Sequence, residues 1–203
     1  MPSMGQNNYA VLCGTTAGEP VCSHENRRER FFRFPLRTKR LSGAYDTLNV
    51  LARERLLQEI DLSALPRVCV EGEVRTFNNR SGEGARLVIS LFARRITPCG
   101  TSEDENLVLL TGTLCKPPSL RRTPLGREIC DLMVAVNRQY GRSDYLPCLA
   151  WGEQARAAAQ WSVGDVISLT GRLQSRDYRK TREDGAEELR TAFEISAMEV
   201  DRM

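Results

Sequence analysis

The sequence predicts an all-β protein with one helix per domain, built as two tandem five-stranded barrels. Three observations carry the prediction. The chain repeats itself at an interval of 98 residues, its repeated segments read as strands with period-two alternation, and each half holds one run of strong helix formers at the same place.

Sliding the sequence by 98 residues superposes its halves. NYAVLCGT (8–15) falls on NLVLLTGT (106–113), and Pro20 falls on Pro118. FRFPLRTKR (32–40) lies against DLMVAVNR (131–138), and DTLNVLA (46–52) against DYLPCLA (144–150). One slip later VCVEGEV (68–74) matches ISLTGRL (167–173), and beyond a longer hairpin LVISLFARRI (87–96) matches TAFEISAMEV (191–200). Spacing kept over that many segments indicates a duplicated structural unit.

Each half therefore opens with a strand ending in Gly-Thr, runs through a proline-containing connection, and continues into two long strands. ARERLLQEI (52–60) and GEQARAAAQWS (152–162) supply the helices, closed off by Pro66 in one half and Gly164-Asp165 in the other. Two further strands follow. Their hairpins turn at NNRSGEG (78–84) and at REDGAEE (182–188), where Asp184-Gly185 is a strong turn signal. PCGTSEDEN (98–106), polar with Pro and Gly, is the linker, so the domains run 1–100 and 106–203. Five strands with a helix between the third and fourth is the order of an OB-fold, a partly open barrel that commonly holds single-stranded nucleic acid on one face.

Composition narrows the function classes. With 41% hydrophobic residues in 203, the chain can bury a proper core. No window approaches the roughly 20 apolar residues of a membrane helix, and MPSMGQNNYAVL lacks the basic start of a leader, so a soluble, cytoplasmic protein is expected with no membrane partner. The seven cysteines (13, 22, 69, 99, 115, 130 and 148) show no CxxC or other metal-ligand spacing, so zinc is not expected. Most lie in apolar runs, where a free cysteine acts as a small buried hydrophobe. His24 is the only histidine and sits in the polar stretch CSHENRR, which argues against Ser/His/Asp or Cys/His catalysis. Neither an enzyme nor a cofactor is indicated.

The stretch DYLPCLAWG (144–152) raises the functional question. In an extended chain Leu146, Cys148 and Ala150 share one face, while Tyr145, Pro147, Leu149 and Trp151 share the other. An aromatic face turned away from a core suits flat ligands or a partner surface. Trp161, in the helix, is better placed to plug the barrel bottom.

At these residues the second half, roughly 106–200, resembles the bacterial single-stranded DNA-binding protein family. NLVLLTGTLCKPPSLRRTPLGREICDLMVAVNR is similar to the family's first two strands, YLPCLAWG to its third, and VGDVISLTGRLQSRDY to its fourth; the first half resembles it mainly through the repeat. The resemblance implies single-stranded DNA as partner, with bases stacked on Tyr140, Tyr145, Trp151 and Tyr178. Stacking contributes about 1–3 kcal/mol per base and tolerates any sequence. Arg138, Arg142, Arg172, Arg176, Arg179, Lys180 and Arg182 flank those rings, and Lys116, Arg121, Arg122 and Arg127 line the first connection; cations in such positions release counterions from phosphates.

The halves are not equivalent. Residues 1–100 hold 15 Lys/Arg against 10 Asp/Glu, and residues 101–203 hold 14 against 16. The basic excess is concentrated in ENRRERFFRFPLRTKR (25–40), while Thr47 stands where the repeat has Tyr145 and Arg53 where it has Trp151, leaving Tyr45 and Phe77 as nearby rings. The first barrel either follows phosphates, through residues such as Arg53, or extends the assembly. Family members have one barrel per chain and form tetramers, so the resemblance implies a homodimer with four barrels. They also carry an acidic-tipped tail that recruits partners; here MEVDRM follows the last strand directly, so tail-mediated recruitment is not expected. The alternative to coating DNA is a primosome-like scaffold whose barrel surfaces bind proteins, with Tyr145 and Trp151 as anchors; an RNA chaperone is a third possibility.

Overall fold

The computed structural model describes residues 6–58, 60, 62, 67–78, 87–138, 141–181, 185 and 187–203. Its strands are β1 (Asn8–Thr16), β2 (Val21–Asn26), β3 (Glu29–Lys39), β4 (Tyr45–Arg53), β5 (Arg67–Asn78) and β6 (Leu87–Pro98) in the first half. In the second they are β7 (Glu105–Leu114), β8 (Ser119–Arg122), β9 (Glu128–Asn137), β10 (Ser143–Trp151), β11 (Val166–Thr181) and β12 (Glu187–Arg202). Helix α1 (Glu54–Gln58) follows β4, and α2 (Gly152–Ala158) follows β10. The expected hairpin tips at 79–84, 182–184 and 186 lie outside the described residues.

Each half closes as the repeat predicts. In the first, β1 pairs with both β5 and β3, β3 with β4, β5 with β6, and β4 runs parallel to β6. The second repeats this with β7, β9, β10, β11 and β12. Gly14 and Gly112 sit where these rings close. A Cβ on Gly112 would stand 2.7 Å from the Ala135 carbonyl oxygen, and one on Gly14 would strike the Arg37 carbonyl. A side chain at either point would push the closing strands apart.

Two features depart from expectation. The proline-containing connections carry β2 and β8, which pair with β3 and β9; every described residue of both is exposed, so neither has the apolar alternation that marks a strand in sequence. Cys13 and Cys69, expected as free thiols, form a disulfide. They occupy directly opposed positions on β1 and β5, a proximity set by strand register rather than by sequence spacing. Cys130 and Cys148 are buried free thiols, as expected.

The barrel interiors take Leu12, Phe34, Leu36, Leu48, Val50, Val70 and Leu91 in one half and Leu110, Leu132, Val134, Leu146, Cys148, Leu173 and Ile195 in the other, with Trp161 packed against them. The barrels join edge to edge through antiparallel pairing of β1 with β7. Ala10 pairs with Val108, its own repeat equivalent, so the halves are related by a local twofold passing between these two residues.

Candidate nucleic-acid interface

That twofold brings the Arg138–Asp144 and Arg40–Asp46 pairs into two matching clasps. Asp144, fully buried, accepts hydrogen bonds from Arg138 (Nε, 2.6 Å) in its own barrel and from the Thr76 backbone N–H (2.6 Å) and hydroxyl (3.2 Å) in the other. Arg138 Nη2 also donates to the Thr76 carbonyl at 2.9 Å, and Arg75 pairs with Asp144 at 3.1 Å. Asp46, Arg40 and Ser175 reproduce the geometry: Arg40 pairs with buried Asp46 (2.6 Å) and donates to the Ser175 carbonyl (2.9 Å), while the Ser175 N–H donates to Asp46 (2.6 Å). Arg138, expected at a DNA phosphate, is engaged in this contact between the barrels. The signal was present in the sequence as an Arg-x5-Asp spacing kept in both halves while the exposed residues around it changed.

Beside the Asp144 clasp two rings reach solvent. Tyr145, 52% exposed, donates its backbone N–H to the Thr76 hydroxyl at 3.2 Å, and Phe77, the residue after Thr76, is 46% exposed. At the symmetric clasp the corresponding residues are Thr47 and Arg176, both exposed. There Tyr45, 50% exposed, lies under the Arg37 guanidinium at 4.1 Å.

The outer face of the second barrel gathers the remaining expected residues. Register places Leu149 of β10 beside Ser196 of β12, and Ser196 opposite Arg172 of β11. Trp151, half-buried, anchors its indole N–H on the Ser196 hydroxyl at 2.9 Å, which fixes the ring while leaving part of it open. Further along, Arg176 opposes Ala192 and Tyr178 opposes Arg190. Arg142, Arg172 and Arg176 make no ion pair among the described residues. Glu194, opposite Gln174, lies near Arg176: burial raises its pKa above the usual carboxylate range, and Asp131 adds to this, against the pull of Arg176, Arg121 and Arg40. Arg122 pairs with Glu128 at 3.3 Å, and Leu149, predicted outward, is buried on that side. Tyr140 and the Lys180 side chain lie outside the described residues.

The first barrel has a groove of about 1450 Å³ on the matching face, running from His24 on β2 to Arg138 of the second barrel. Its floor holds rings the sequence reading did not single out. His24 stacks on Phe31 at 4.8 Å, Phe31 lies 6.2 Å from Phe92, and Arg53 and Arg94 stand over Phe92 at 5.6 and 5.1 Å. Arg53 also pairs with Glu29 at 3.4 Å. Phe92 falls on Ser196 in the repeat, so the ring has moved from β10 in one barrel to β6 in the other, which hides it from a search for aromatics at matching positions. Glu73 accepts from Arg75 and from Arg94 (2.8 Å), and Glu71 pairs with Arg95, so the arginines of this groove are engaged by carboxylates although they outnumber those that line it.

A model of the single-strand binding protein family matches residues 105–203. A single-stranded DNA-binding protein of Clostridium tetani is 36% identical over 80 residues, covering 36% of this chain and 55% of that protein. Single-stranded DNA-binding protein 3 of Clostridium acetobutylicum is 35% identical over 102 residues, covering 47% and 68% respectively. The chain spans about half the length of the first of these curated relatives. Among solved structures, the wild-type single-stranded DNA binding protein from Thermus aquaticus superposes with a TM-score of 0.76 at 23% identity, over 97% of this chain and 92% of that one, which places the whole two-barrel architecture in a known fold. By its second barrel's sequence and its coverage of the Clostridium acetobutylicum relative, the chain belongs to the single-strand binding protein family.

Proposed function

We propose that the protein binds single-stranded DNA without sequence preference and protects it during replication, recombination or repair. One observation carries this reading: Tyr145 and Trp151 stand outside the barrel core on β10, and the same barrel offers Arg142, Arg172 and Arg176, which make no ion pair among the described residues. Bases stack on the rings whatever their identity, and the guanidinium groups meet phosphates. The strand passes Trp151 and Tyr178, crosses the junction at Tyr145 and Phe77, and reaches the groove of the first barrel. Two chains, each supplying two barrels, form the coating unit.

Tryptophan fluorescence during oligo-dT titration at two salt concentrations tests this. Quenching by Trp151 stacking, with affinity falling as salt rises, supports the reading; absence of salt-sensitive micromolar binding overturns it. In Trp151→Ala, lost DNA affinity with unchanged oligomer size supports coating, whereas lost assembly favours a protein scaffold. Sedimentation of the free protein as a monomer would remove the dimer.

A further inference from the structure

Three sulfurs distant in sequence meet at one end of the first barrel. Cys13 and Cys69 face each other across β1 and β5, and Cys99, the residue after β6, completes a group whose sulfurs all lie within 4.8 Å of one another. Sγ of Cys13 is also 3.7 Å from Oε2 of Glu105, which opposes it on β7. The third sulfur is held rather than free to swing. The Cys99 N–H donates to the Arg67 carbonyl at 3.2 Å, Arg67 reaches the carbonyls of Thr101 (3.2 Å) and Glu103 (3.0 Å), and Arg67 pairs with Asp104 at 2.7 Å. The Thr101 hydroxyl, 3.5 Å from Sγ of Cys99, is placed to donate to a thiolate.

We propose that, once the Cys13–Cys69 bond is reduced, Cys13, Cys69 and Cys99 bind a zinc-class divalent ion as three thiolates, with Glu105 the nearest carboxylate for a fourth position. Zinc favours four-coordinate sites rich in cysteine sulfur, and its ligands must be deprotonated. The steps balance. A dithiol reductant delivers two electrons and two protons to the disulfide, and the incoming cation then displaces one proton from each of three thiols. Disulfide and metal are thus mutually exclusive states of one site. Either one ties β1 to β5, but only the metal also fastens the linker between the barrels. The absence of CxxC spacing, which argued against zinc, does not bear on a site assembled by strand pairing. This inference is independent of DNA binding.

The test is a cobalt(II) titration of the full chain after reduction and chelation. Thiolate-to-cobalt charge-transfer absorption that saturates at one equivalent, is displaced by zinc, is retained in Cys22→Ser and is lost in Cys99→Ser would support the site. Cys99 is partly exposed after the last strand of its barrel, and circular dichroism checks that its variant folds. No charge-transfer band in the reduced protein, a band that survives in Cys99→Ser, or a thiol count that stays at the five free cysteines after reduction would overturn it.

Discussion

The two barrels share a backbone plan and differ in what they present on it. At the junction near Asp144 the second barrel offers Tyr145 beside Phe77, while at the symmetric junction the same two positions hold Thr47 and Arg176. On the outer faces, Arg172 of the second barrel stands where the first has Glu73, and Glu73 pairs with both Arg75 and Arg94. The second barrel thus combines accessible rings with cations that make no ion pair among the described residues, whereas the first has more rings, more deeply set, over paired charges. The clasps, by contrast, keep the same Arg–Asp core in both, with Arg75 added only at Asp144. What a fold needs to hold itself together tolerates little change after duplication, and what faces solvent is free to diverge.

The largest effect is expected where the halves agree. Asp144→Ala leaves Arg138 without its buried partner and the Thr76 N–H unsatisfied, and should cost about 3–5 kcal/mol in denaturant unfolding. Asp46→Ala should cost slightly less, because Arg75 pairs with Asp144 and no second arginine pairs with Asp46 among the described residues; a larger loss than in Asp144→Ala would break the equivalence of the clasps. Next, Trp151→Ala should lower oligo-dT affinity by about 1–3 kcal/mol, or roughly 5- to 150-fold. Phe92→Ala should lower it less, and equal losses would show that both faces carry the strand alike.

Arg172→Glu gives the second barrel the first barrel's charge at that position. Removing one phosphate contact should reduce the slope of log affinity against log salt by about 0.7. An unchanged slope would take Arg172 off the DNA path. A stability effect of about 1 kcal/mol is expected at the β2–β3 turn, where Arg27 and Arg28 adopt left-handed backbone (φ 49° and 65°) that side chains disfavour. Arg28→Gly should raise the unfolding midpoint and weaken DNA binding slightly, which would explain an arginine in a position that suits glycine.

The smallest effect concerns Glu194. The folded protein holds this proton more tightly than the unfolded chain, so stability is lost as pH rises from the usual carboxylate range through the raised value. DNA affinity should fall over the same window as a negative charge appears beside Arg40, Arg121 and Arg176. Glu194→Gln should flatten both profiles and improve affinity near neutral pH by about twofold. A profile unchanged by the substitution would assign the pH dependence elsewhere.

Repeat spacing, alternation and helix-former runs made both barrels, their strand order and the core residues of DYLPCLAWG legible in the sequence, because these depend on local periodicity and on which side chains avoid water. The outward placement of Tyr145 and Trp151 was legible for the same reason: alternation assigns a face. Residues whose roles depend on a second element were not. Arg138 reads as one more surface cation until the twofold brings Thr76 and Asp144 around it; Phe31 and Phe92 read as scattered apolar residues until β3 and β6 line one groove; and Cys13, Cys69 and Cys99 read as isolated until pairing sets them side by side. Periodicity along a chain says which way a side chain points, but only the register between distant strands decides what it meets.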